Sequence, residues 1–126
     1  MKQVIVIVLS LTLILSLNFW QCKYLKETGE YLLTDIRDIQ NSLARKDYSS
    51  CEKSILELEN TWKNVSTTWD IFGEHDDIES VEEAIESMKI YVKYEEEVEL
   101  ANEYTKLETR IKNVINTEKI ALKNIF

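Results

Sequence analysis

Between Val4 and Trp20 the chain reads VIVIVLSLTLILSLNFW, an uncharged apolar run broken only by Ser10, Thr12, Ser16 and Asn18. A helix over Gln3 to Gln21 would span about 28 Å at 1.5 Å per residue, close to the ~30 Å hydrocarbon core of a bilayer. The run predicts a transmembrane helix. Beyond it the apolar positions become periodic, recurring at alternating intervals of three and four, the mark of a seam along a helix packed in a bundle.

Four such ladders follow. Leu25, Leu32, Ile36, Ile39 and Leu43 form the first, with Gly29 in the slot between Leu25 and Leu32. Tyr48, Cys51, Ile55, Leu58, Trp62, Val65, Trp69 and Phe72 form the second. Ile78, Val81, Ile85, Met88 and Val92 make the third, and Leu100, Tyr104, Leu107, Ile111 and Val114 the fourth. No segment alternates polar and apolar for long enough to argue for a sheet.

Turn chemistry separates the ladders. Arg45 and Lys46 give the first helix a cationic end, and Asp47 is an N-cap candidate for the second. Gly73 follows Phe72 as a C-terminal glycine, and Asp76 with Glu79 has capping-box spacing. The run Glu95, Glu96, Glu97 breaks register without Gly or Pro, so the third and fourth ladders are either two helices joined by a tight turn or one bent helix. The fold class is all-α: an N-terminal transmembrane helix followed by an antiparallel three- to four-helix bundle, with residues 1–22 as the anchor and 23–126 as the bundle.

Composition narrows function more than fold. The 126 residues include two Gly, no Pro, two Cys and one His, too few for glycine phosphate loops, disulfide frameworks or multi-histidine metal centres. Lys2 is the one charged side chain before Lys23, so the remaining 23 acids and 14 bases give the bundle a net charge of −9. That surface argues against nucleic acid, which needs clustered Lys and Arg to displace counterions.

The apolar run is read as an uncleaved signal-anchor, because Asn18, Phe19 and Trp20 lack the paired small residues of a cleavage site. Lys2 on one side and Lys23 and Lys26 on the other nearly balance under the positive-inside rule. A span this near the start, followed by a long acidic domain, inserts with the C-terminal part exported. The expected location is the cell membrane, single-pass, with the domain outside the cytoplasm and Trp20 and Tyr24 at the interface. Helix one climbs from the membrane and helix two returns, which would bring Trp69 and Phe72 near the lipid headgroups and Trp69 beside Trp20. The same geometry sets Cys22 and Cys51 about 30 Å apart, beyond disulfide reach.

Few residues offer chemistry. His75, with Asp76 and Asp77, is the weak candidate for a metal or a pH switch; the plainer reading gives Asp76 a capping role and His75 a loop hydrogen bond. One His without a second ligand pattern fits neither catalytic zinc nor a di-iron bundle. Neither Cys has a His beside it in sequence. Trp62 and Trp69, two turns apart, form a stripe that Phe72 continues, and such a stripe is mostly core. No catalytic residue, cofactor or metal is expected. Trp20, Trp62, Trp69, Phe72 and His75 are the candidates for interaction or membrane proximity.

The N-terminal span, the helix bearing Trp62 and Trp69, the segment WDIFGEHDDIESVEEAI and the ending LKNIF together resemble the domain of unknown function 4363 family. Asp77 stands where glutamate is expected, and the Glu95 to Glu97 connection is more acidic than the pattern. The resemblance implies a small single-span helical protein of the Gram-positive envelope with no assigned catalytic residues. The expected function is a non-catalytic interaction or accessory module at the cell envelope, held in the bilayer through residues 4–20 and serving a protein partner in the membrane or envelope. The alternative is a ligand, divalent-cation or pH sensor built on the loop around His75.

Overall fold

A computed structural model of the chain describes residues 1–72 and 75–125, with side chains described except at 72, 75 and 117–125. Four helices follow one another: α1 Lys2–Ala44, α2 Tyr48–Phe72, α3 His75–Lys93 and α4 Glu97–Ile125. α1 packs against α2 and α4, and α3 closes the ring by packing against both of these. Short connections make successive neighbours antiparallel, giving an up-down-up-down bundle. The expected all-α architecture is present, and its open point is settled in favour of two separate helices, α3 and α4.

The apolar run and the first bundle helix are one element. α1 has 43 residues and runs about 64 Å without a break. Nothing between Trp20 and Tyr24 interrupts its ladder of backbone bonds, since Gln21, Cys22 and Lys23 are all ordinary helix residues.

The two far-end turns use the same device. Lys46 adopts φ 55° and Glu95 φ 54°, the left-handed conformation that usually falls to glycine. At the first turn Lys46 N–H donates to Leu43 O at 2.8 Å and Asp47 N–H to Ser42 O at 3.0 Å. At the second, Glu95 N–H donates to Val92 O at 3.2 Å and Glu96 N–H to Tyr91 O at 2.9 Å. Each turn thereby satisfies carbonyls that a helix end would leave orphaned. Asp47 then caps α2, accepting from Ser50 N–H at 3.1 Å and Ser50 Oγ at 2.7 Å. These bonds hold its carboxyl below the usual range.

The capping-box expectation at Asp76 is corrected. α3 begins at His75, so Asp76 and Asp77 lie within its first turn, where negative charge meets the exposed amides of the helix start. Gly73, the expected C-terminal glycine, lies outside the described residues.

The core is built from the ladders. Leu25, Leu32, Ile36 and Ile39 of α1 meet Cys51, Ile55, Leu58 and Trp62 of α2, Val81, Ile85 and Met88 of α3, and Leu100, Leu107 and Ile111 of α4. Tyr48, Tyr104 and Val114 sit half-buried at its edge. Gly29 has a steric reason for its slot: a Cβ there would lie 2.5 Å from Ile115 Cδ1 and 2.9 Å from Ile115 Cγ1. Its missing side chain lets α4 approach α1.

Candidate functional site

The feature that sets this bundle apart is the part of α1 whose apolar side chains stay outside the core formed by the described residues. From Val4 to Trp20 the large apolar side chains are 36–64% exposed, an apolar surface far larger than a water-facing helix normally carries. Two of its hydroxyls are satisfied without water: Thr12 Oγ1 donates to Val8 O and Ser16 Oγ to Thr12 O, both at 2.8 Å, so these two polar interruptions are bonded back into their own helix. At the upper border Trp20 and Tyr24 stack with centroids 5.8 Å apart. Paired amphipathic rings at the end of an apolar segment suit a boundary between hydrocarbon and water.

Above that border lies the tryptophan seam. Trp62 and Trp69 are each 3% exposed and meet edge to face at 5.7 Å. Trp69 Nε1 donates to Thr28 Oγ1 at 2.8 Å, while Thr28 Oγ1 donates to Tyr24 O at 2.8 Å. Trp62 Nε1 is buried with no hydrogen-bond partner among the described residues. Trp69 is thus a core residue of the seam, and its height relative to a bilayer is a separate matter. Its ring is enclosed by the core because α1 supplies Thr28 as acceptor, and the ring next to Trp20 is Tyr24.

The candidates around the α2–α3 connection divide. The side chains of Phe72 and His75 lie outside the described residues. Asp76 is exposed, and Asp77 is engaged by Arg110 Nη1 at 2.9 Å across to α4. A second acidic group escapes a linear reading: Asp35 and Asp38 of α1 and Glu57 of α2 bring carboxylate oxygens within 4.8 Å of one another. Burial pushes the Asp35 carboxyl up, with Asp38 and Glu57 adding to the rise and the hydrogen bond from Thr61 opposing it. Thr61 Oγ1 donates that bond at 2.7 Å. Asp38 and Glu57 are exposed, and such groupings are ordinary on a surface holding 23 acids.

Cross-helix polar contacts fix helix levels. Lys89 Nζ of α3 lies 2.8 Å from Glu59 Oε2 of α2, and this contact holds the Glu59 carboxyl low. Gln40 of α1 donates to Glu108 of α4, which Lys112 also binds at 2.7 Å. Cys51 is buried, Cys22 is half-buried, and the two form no disulfide.

A family model described as a domain of unknown function (DUF4363) matches residues 19–125. No curated protein and no solved structure matches the chain.

Proposed function

The chain belongs to the DUF4363 family, and on that premise we propose that it is a bundle held in the cell membrane by residues 4–20, acting as a non-catalytic interaction or accessory module at the envelope. The single observation that carries the reading is the exposed apolar stretch of α1, continuous with a well-packed four-helix core. A helix that hydrophobic is stable in water only when covered, and no other helix of the bundle runs alongside its first fourteen residues, all of which are exposed. The family match beginning at residue 19, at the lower end of the packed seam, supports treating the preceding residues as an anchor.

The interaction role rests on the use of the chain. The seams of all four helices are committed to packing, and the grooves between and along them are open and flanked by charge, such as the one along α3 bordered by Glu79, Glu82, Glu83 and Glu86. An acidic surface of this kind suits a protein partner and disfavours nucleic acid. The domain is read as extracytoplasmic, after an uncleaved signal-anchor.

Washing membranes of cells expressing the full chain with alkaline carbonate tests the anchor. The chain is expected to stay with the membrane pellet at its full length, and a variant with Leu9, Leu11 and Leu13 changed to Asp is expected in the supernatant. Release of the unaltered chain by carbonate would overturn the reading. Protease added to intact spheroplasts tests the orientation, with digestion of the bundle as the expected outcome.

A further inference from the structure

The outward face of α3 joins two kinds of exposed side chain. Glu79, Glu83, Glu86 and Ile90 recur at intervals of four, three and four, so they form one stripe, with Glu82 at its edge. All five are exposed, and with half-buried Ser87 they line one open groove. Ile90 is 57% exposed, and Tyr94, one turn further on, is 66% exposed. Among the described residues α3 packs against α2 and α4 only, so no helix covers this face.

The acids of the face outnumber the bases that could answer them. From Asp76 to Met88 α3 holds six acids and no Lys or Arg. The helix start accounts for Asp76 and Asp77, since the attraction of its amides fades within the first turn and leaves Glu82, Glu83 and Glu86 outside it. The bordering bases are engaged elsewhere: Arg110 by Asp77 at 2.9 Å, Lys106 by Glu103 at 3.7 Å and Lys63 by Glu59 at 3.7 Å. Lys89 lies closer to Glu59, at 2.8 Å, than to Glu86, at 3.4 Å. Glu82 and Glu83 make no ion pair among the described residues. Glu79 with Glu83 and Glu82 with Glu86 stand at the spacing of four at which like charges destabilise a helix. The free bundle carries that repulsion, and a cationic surface laid on the face relieves it.

We propose that this face docks a basic amphipathic helix of another membrane or envelope protein, whose Lys or Arg side chains meet Glu79, Glu82, Glu83 and Glu86 while an apolar residue covers Ile90 and Tyr94. The proposal rests on the interaction role read above and names its surface and the chemistry of its partner. Complementary charge sets register and selectivity, and the apolar contact at the end of the stripe gives the anchor that exposed charges lack. A second copy of the chain is a poor fit, because it would bring a domain of net charge −9 against the same acids.

A photoreactive side chain is placed at Ser87, or at exposed Tyr31 of α1 or Val98 of α4, in the full chain in its native membranes, and crosslinked peptides are identified by mass spectrometry. Ser87 is expected to capture a peptide of net positive charge. The yield should fall on the order of tenfold with Glu82→Gln plus Glu83→Gln and be kept by Glu82→Asp plus Glu83→Asp. The glutamine pair should melt at or above the parent temperature, so a lost crosslink reports the face and not the fold. A neutral or acidic peptide, a second copy, a yield unchanged by the glutamine pair, or a glutamine pair less stable than the parent would overturn the proposal. Capture from Tyr31 or Val98 alone leaves the interaction role standing and defeats this face, whereas no capture from any of the three positions defeats both.

Discussion

Trp69 of α2 donates its indole N–H to the hydroxyl of Thr28 on α1 at 2.8 Å, at a site where both residues are buried. Thr28 Oγ1 in turn donates a hydrogen bond to the Tyr24 carbonyl at 2.8 Å, so one hydroxyl links a tryptophan on the second helix to the backbone of the first. Replacing Thr28 by Val keeps the shape and leaves the indole donor with no acceptor. The expected loss is about 1–3 kcal/mol, the cost of an unmade buried hydrogen bond. Thermal unfolding of the full chain in mild detergent reads it. In a Trp69→Phe background the Thr28→Val change should cost markedly less, and equal costs in both backgrounds would show that the bond is idle.

Gly29 and Ile115 should be coupled. Gly29→Ala gains about 1 kcal/mol of helix propensity and collides with Ile115, whose overpacking costs about 1–3 kcal/mol, so the single change is expected to destabilise. In an Ile115→Ala background the collision is gone and the same change should stabilise. A reversal of sign between the two melting comparisons is the expected result.

The left-handed residues at the far turns are a reserve of stability. Glu95 holds φ 54° with a side chain present, and Glu95→Gly removes a conformational cost of about 1 kcal/mol. It also takes one charge from a run of three acids. The melting temperature should rise by several degrees, whereas a fall would show that Glu95 makes a contact that outweighs its backbone strain.

Asp35 should give a pH signature of opposite sign to the paired glutamates. Its carboxyl is pushed up by burial and by Asp38 and Glu57. A raised carboxyl pKa means that ionisation opposes folding, a penalty absent below the ordinary carboxylate value and growing as pH rises towards the folded value. Asp35→Asn should therefore stabilise by about 0.5 kcal/mol at pH 7 after solvent screening. The gain should vanish below about pH 4. Glu59, held low by Lys89, contributes stability above the ordinary range that is lost as pH falls through it, so Glu59→Gln should destabilise at pH 7 and converge with the parent in acid.

The ladders were readable because apolar side chains at intervals of three and four can share one face of a helix only in one way, and Leu25 through Ile111 occupy the core they foretold. Thr28 and Ser42 escaped that reading because the core admits a polar group wherever a partner is supplied, and the partner of Thr28 lies 41 residues away. The turn at Glu95 stayed ambiguous because its device is a backbone angle on a residue type that rarely adopts it. Asp35, Asp38 and Glu57 came together through the crossing of α1 and α2, which no spacing within one helix reveals. Helix heights were the least legible. Counting residues measures length along an axis and leaves out side-chain reach, and the partner that Trp69 meets, Thr28, is fixed by that reach.

The unbroken course of α1 also sets an altitude. Ala44 stands 24 residues beyond Trp20, about 36 Å along a single helix with no hinge. A flexible leader would let the acidic turn at Glu95 sweep a wide volume. On the anchoring proposed above, a continuous helix would make a gauge of itself, and a partner docking on Glu95, Glu96 and Glu97 would have to project its own contact surface to that one elevation.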